Sequence, residues 1–422
     1  MEPDPPSAAP HRLQIAAAVV GNALEWYDFV VFGFFTTVIS PLFFPNHDPN
    51  ASLLLTMATF GAGFVTRPLG GIMLGLHADR RGRKAALQLI IALMTLAVAL
   101  IAFAPTYASI GLAAPALILT GRLLQGFATG GEFASATSFL VESAPPGKRG
   151  LYGSLQMVGQ GLSALLGALA GVVITQTLDP DSISAWGWRL PFVLGLVIGP
   201  VGLFMRRRLD ETRAFIAARQ TQAESATLAQ LVSAYPRRVA SAFGMAASTT
   251  IYFYILLIYM PTYGKTALGL SLRDAFLAEG AGLCVLIALT PIFGALSDRI
   301  GRRPVLLAGH AAFLIMLLPL FSWIQNGPSL GKLAAMQSLL CVAAAIVLGP
   351  ISTALAEQFP VRVRSTGLAL AYNLAVMIFG GFAQLIVAWL MSALATPLAP
   401  AFYLMFGALV GFVTALMTRD VE

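Results

Sequence analysis

One basic loop occurs twice in this chain, 219 residues apart, and each copy lies between two long apolar segments. Gly75, Asp79, Arg80, Gly82 and Arg83 of the first copy recur as Gly294, Asp298, Arg299, Gly301 and Arg302 in the second. A repeat at about half the chain length, embedded in sequence apolar enough to span a bilayer, predicts two structurally similar helical bundles. That arrangement points to passage of a solute across a membrane rather than to bond chemistry.

Hydrophobic residues fill 57% of the 422 positions and charged residues only 11%, where a soluble domain carries roughly 25% charged residues. A spanning helix needs about 20 mostly apolar residues, and twelve such stretches are present: 13–43, 51–78, 84–104, 112–142, 149–178 and 187–205, then 236–263, 274–297, 304–324, 330–358, 361–393 and 400–417. The expectation is an all-α membrane protein with twelve transmembrane helices in two six-helix bundles, 13–205 and 236–417. A tail at 1–12, a polar linker at 206–235 and a tail at 418–422 complete the chain. The Pro-rich first ten residues precede an apolar run too long for a signal-peptide core, so the first helix is expected to stay uncleaved.

Orientation follows from the basic residues, because positively charged loops stay cytoplasmic. Alternate connections collect twenty of the twenty-six Lys and Arg residues on one side, leaving Arg189, Lys265, Arg273 and Lys332 on the other and Arg67 and Arg122 inside spans. Both termini are therefore expected in the cytoplasm. The net charge of +7 sits in short separated loops without a continuous basic face, which argues against nucleic acid. Cys284 and Cys341 fall within spans, and the four histidines, His11, His47, His77 and His310, are scattered. No metal-ligand cluster or nucleophile–base pair is evident, so neither a metal nor an enzymatic role is expected.

The informative residues are charges placed where charge is expensive. Glu25 and Asp28 lie three apart in the first span, about 18–22 Å deep in a hydrocarbon core of about 30 Å. Arg67 is similarly deep in the second span, and Arg122 and Glu132 are interior to the fourth. Each central charge costs about 2.5–3.5 kcal/mol on insertion scales, so these groups must pair, line a wet crevice, or both. One reading is ion pairing that locks the helices together; the other is a proton and anion site. On the second, Glu25, Asp28 and Glu132 handle the proton and Arg67 and Arg122 contact the anion. Gln125, Asn22, Tyr252, Tyr372 and Asn373 are candidate orienting groups. No cofactor is expected besides the proton as coupling ion.

The twin loops resemble motif A of the major facilitator superfamily. The stretches around Gly21, Asn22, Glu25 and Asp28, around Arg67, Pro68, Gly70 and Gly71, around Arg122, Gln125, Gly126, Gly130 and Glu132, and around Trp186, Trp188, Arg189 and Pro191 together resemble its metabolite–proton symporter branch. That branch carries citrate, tricarballylate, 2-oxoglutarate, shikimate, and proline or betaine. The runs 178–189, 206–212 and 261–265 are most similar to its tricarboxylate-carrying members. The resemblance covers essentially the whole chain.

It implies a major facilitator fold working by alternating access, and proton-coupled symport of an organic anion, citrate or a related tricarboxylate such as tricarballylate, across a bacterial inner membrane by a monomer. A dicarboxylate, shikimate, or proline and betaine are the alternative substrates. It also implies gating roles for Asp79, Arg83, Glu142 and Arg149 and for their second-half counterparts Asp298, Arg302, Glu357 and Arg364. In that scheme the motif A acid opposes the positive end of a helix from the other half.

Overall fold

A computed structural model describes residues 8–81, 83–197, 232–360 and 363–417, without the side chains of 8–14, 78–80 and 83–87. The described residues are helical throughout, with no strand. Eight helical stretches are long and apolar enough to cross a bilayer: Ile15–Phe34, Arg149–Thr177, Pro236–Thr266, Leu272–Ile300, Arg302–Gln325, Leu330–Glu357, Arg364–Leu394 and Ala399–Met417. Four other apolar stretches expected from the sequence appear as broken or shorter helices. Residues 49–81 split at Thr66 into Pro49–Val65 and Arg67–Arg81, and 113–142 split into Ala113–Ala128 and Glu132–Glu142. Gln88–Ala102 and Gly187–Val197 are shorter apolar helices. Residues 206–231 of the expected linker lie outside the described residues.

Local chemistry explains the breaks and starts. Pro68 offers no N–H to continue the preceding helix, and Thr66 turns its hydroxyl onto its own helix at Gly63 O, 3.0 Å, and across to Leu123 O, 2.7 Å. The second break falls at the flexible pair Gly130 and Gly131. Helix starts opposite the repeated loops are capped by Asp48, Ser271 and Ser329, each accepting from a backbone N–H two or three residues on.

Lipid provides little hydrophobic drive between helices, so backbone approach at small residues brings them together. The two broken helices show this most closely. A Cβ at Gly126 would sit 1.5 Å from Gly63 O, and one at Gly70 would sit 1.8 Å from Phe127 O. That contact is what puts Arg67 and Arg122 on neighbouring walls.

Two helices of the second half are central, Pro236–Thr266 and Leu330–Glu357, with 89% and 83% of their apolar windows buried, against 39% for Leu272–Ile300 and Arg302–Gln325. Exposed faces such as Ile315, Leu409 and Val413 present hydrocarbon outward. The central helix Pro236–Thr266 contains a π-helical segment, Ile255–Tyr259, and Arg364–Leu394 contains another, Val376–Gly380. Such segments disturb the regular backbone bonding and often mark functional sites.

Gly126→Ala is expected to cost about 3 kcal/mol, the upper end for overpacking, because the neighbouring carbonyl cannot swing aside. Gly131→Ala, whose Cβ meets nothing within 4 Å, serves as the control. Thermal unfolding of the two purified variants checks the difference.

Candidate substrate and proton site

Arg67 and Arg122 are both buried, at 1% and 0% exposure. Aromatic rings surround them. The Arg122 guanidinium lies 4.8, 4.8 and 4.6 Å from the ring centres of Phe29, Phe32 and Phe60, and that of Arg67 lies 5.1, 5.7 and 5.2 Å from Trp26, Phe29 and Phe64. Phe29 is shared, so the two cations flank one ring. Each desolvated cation–π contact contributes about 2 kcal/mol, which offsets part of the cost of burying the charge.

The rings leave several of the N–H donors unused. Arg122 Nη1 donates to Gln125 Oε1 at 2.7 Å, but Arg122 Nε, Arg67 Nε, Arg67 Nη1 and Gln125 Nε2 have no acceptor among the described residues. A pocket wall of buried donors is suited to carboxylate oxygens, which accept from several donors at once. Tyr254, on the central helix of the second half, lies within electrostatic reach of both guanidinium groups. It also packs edge-on against Phe60 and Phe64.

Asp28 faces the same region from the first helix. Its carboxylate interacts with Arg122, and its Oδ1 is buried without a hydrogen-bond donor. That same oxygen presses on Gly195, where a Cβ would stand 1.8 Å from Oδ1. Tyr372 lies within electrostatic reach of Arg67 and Glu132 and stacks on Phe133 at 3.6 Å. Glu25 and Glu132 are half-buried.

Arg67, Arg122, Gln125, Asp28 and Tyr372 are thus brought to one region. Three of the other candidates are committed to packing. Asn22 exchanges amide hydrogen bonds with Gln156, to its carbonyl at 3.2 Å and from its side chain at 3.3 Å, tying the first helix to Arg149–Thr177. Tyr252 turns to His310 Nδ1, 2.9 Å, and stacks on Phe313 within the second half. Asn373 donates to Gly130 O at 2.6 Å, across the halves. Tyr254 and the aromatic box were not singled out from sequence as site residues. Their signal is the three-residue stripe Trp26, Phe29 and Phe32 with the pair Phe60 and Phe64, which reads equally well as core.

The gating candidates gather at the end that carries the repeated loops. Asp298 accepts from the backbone N–H groups of Gly150 and Leu151, at 2.7 and 3.0 Å, and so caps the helix Arg149–Thr177 from the opposite half. Arg302 holds Asp298 at 2.7 Å and Glu357 at 3.3 Å. Arg364 crosses to Glu142 at 3.0 Å instead of completing the second-half cluster. Thr353 donates to Arg149 O at 2.8 Å, which is where the described contacts place Arg149. The side chains of Asp79 and Arg83 lie outside the described residues. At the far end the halves meet through Phe34 and Phe35 against Phe276, at 5.6 and 5.7 Å.

A buried charged wall between two halves that touch at both ends is the construction of a secondary transporter. The sugar (and other) transporter family model matches residues 13–231 and 217–419, and the chain belongs to that family, within the major facilitator superfamily. It is 40% identical over 398 residues to a citrate-proton symporter of Salmonella typhi, covering 94% of this chain and 91% of that protein. A citrate-proton symporter of Klebsiella pneumoniae is 38% identical over 396 residues, covering 93% and 88%. A solved structure of a proton:xylose symporter of the major facilitator superfamily shares the fold, with TM-score 0.75, 18% identity and 97% and 95% coverage.

Asp298→Asn removes charge from two backbone caps and one ion pair. Charge-assisted hydrogen bonds contribute about 1.5–3 kcal/mol each, so a weakening equivalent in sum to one of them is expected to move the balance about 10- to 150-fold towards opening at the loop end. Reaction of a cysteine placed at Ser154 with a soluble thiol reagent measures that change.

Proposed function

We propose that this chain is a proton-coupled symporter of an organic anion, citrate or a related tricarboxylate. In this reading twelve helices in two six-helix bundles, 13–205 and 236–417, alternate access across the bacterial inner membrane, with both termini cytoplasmic and a monomer as the working unit. The observation that carries it is the donor-rich wall at Arg67, Arg122 and Gln125, where buried N–H groups lack acceptors. The likeness to two citrate-proton symporters over nearly the whole chain supports the same substrate class.

The chemistry follows from charge balance. Among the residues of the site that are fully buried, two cations stand against one carboxylate, Asp28. An anion entering between the guanidinium groups takes up the unused donors and competes with Asp28 for Arg122. Once Arg122 turns to the substrate, the Asp28 carboxylate loses its stabilising cation, and a proton neutralises it. Substrate binding and proton binding are thereby linked, and the protonated site carries less uncompensated charge through the hydrocarbon than one with Asp28 ionised.

Purified protein in liposomes is expected to accumulate labelled citrate when a proton gradient is imposed and to stop when the gradient is collapsed. Excess tricarballylate is expected to compete and excess proline not to; competition by proline alone would assign the site to zwitterions. Arg122→Lys keeps the charge but loses the planar fork, and is expected to weaken citrate binding about 10- to 100-fold, equivalent to about 1.4–2.8 kcal/mol. Titration calorimetry reads that loss directly.

A further inference from the structure

Glu279 is a second fully buried carboxyl group, on Leu272–Ile300 in the opposite half from Asp28, and the site above does not use it. It is 1% exposed. Its Oε2 accepts from Gln337 Nε2 at 3.0 Å, and the same Nε2 also donates to Leu256 O, a carbonyl of the π-helical segment Ile255–Tyr259. Both N–H groups of the Gln337 amide are then spent. Glu279 Oε1 and Gln337 Oε1 are both buried with no donor among the described residues.

The cluster therefore holds more acceptors than donors, sealed from water and lipid. Buried acceptors left unmade cost about 1–3 kcal/mol each, more for a charged group. Among the described residues no cation is at hand to change that balance. The groups packed around it are Cys341 and Gln337 on Leu330–Glu357, with Gly282 allowing their close approach. The facing helix Arg149–Thr177 carries no titratable side chain from Gln156 to Thr177. On Arg302–Gln325, His310 is engaged with Tyr252. A proton on the carboxyl group is the one donor that this arrangement lacks.

Its position gives that proton a consequence. Glu279 lies one turn inward from Phe276, the residue that meets Phe34 and Phe35 of the first half and presses on Gly171, where a Cβ would lie 2.6 Å from the ring. The same side chain is tied through Gln337 to the irregular turn of the central helix, whose Ile258 fills the space beside Gly33 of the first half. Opening that end moves both contacts and lets water reach the cluster.

We propose that Glu279 is a second proton-binding site, carried by the second half of the chain and loaded or emptied as the Phe276 end opens and closes. The inference rests on the symport reading, which also makes a second site useful. Each proton carried with a tricarboxylate offsets one of its charges and adds to the drive into an inside-negative compartment, so a second site strengthens what a single proton at Asp28 supplies.

Two measurements on the full chain in liposomes decide it. The first is the number of protons taken up per labelled citrate. Glu279→Gln mimics the protonated form and is expected to transport citrate with that ratio lowered by one; an unchanged ratio overturns the proposal. The second is an infrared difference spectrum between acid and neutral pH without substrate. The wild type is expected to show a protonated-carboxyl band that is missing in Glu279→Gln; persistence of every such band in the variant overturns it. If Glu279→Gln fails to reconstitute, Gln337→Leu withdraws the donor that Oε2 has among the described residues and is expected to move the pH midpoint of the band, and an unmoved midpoint overturns the assignment. A wild type that moves no protons with citrate defeats the symport reading instead, and the infrared band then decides Glu279 on its own.

Discussion

Two guanidinium groups buried side by side in a membrane protein set the terms for everything around them. An isolated ion in a low-dielectric interior is costly, and the usual remedy is an acid opposite each cation. Here the remedy is aromatic. Phe29, Phe32 and Phe60 around Arg122, and Trp26, Phe29 and Phe64 around Arg67, stabilise positive charge through their faces. The physical difference is in the donors: a carboxylate partner would occupy the N–H groups, whereas a ring leaves them available for an anion.

That arrangement depends on backbone contact elsewhere. Rings can pack on both cations only because Pro49–Arg81 and Ala113–Glu142 approach to touching distance at Gly63 and Gly126, and because Thr66 and Gly130 interrupt the two helices beside the charges. The aromatic residues come from two helical segments of the first half, and Tyr254 comes from the second. A shift of one half against the other therefore changes the surroundings of the cations directly. Binding and movement share the same side chains.

The two ends are closed by different physics. Where the repeated loops lie, carboxylates cap a helix end and pair with arginines, through Asp298 on Gly150 and Leu151 and Glu142 on Arg364. At the other end Phe34, Phe35 and Phe276 meet by shape and dispersion. A polar seal weakens when its charges gain water, while an apolar seal weakens when its packing is disturbed. Glu279 sits under the second kind, so a proton there alters packing and charge together.

Much of this was legible in the chain itself. Hydrophobic run length and the repeated loop determined an all-helical membrane protein built from two related halves, because the bilayer leaves few ways to satisfy a backbone. The same logic marked Asp28, Arg67 and Arg122, since charges in hydrocarbon are rare without purpose. Run length did not distinguish continuous helices from those broken at Thr66 or at Gly130, because breaks inside a bundle are satisfied by neighbours that a window of sequence does not contain. Nor did residue type separate Tyr254, which reaches the cations, from Tyr252 two positions earlier, which pairs with His310. The direction in which a helix turns each polar side chain is set by packing against other helices, and so only the tertiary structure decided that Asn22 ties helices together, that Arg364 crosses to the other half, and that Glu279 is joined to the irregular turn of the central helix.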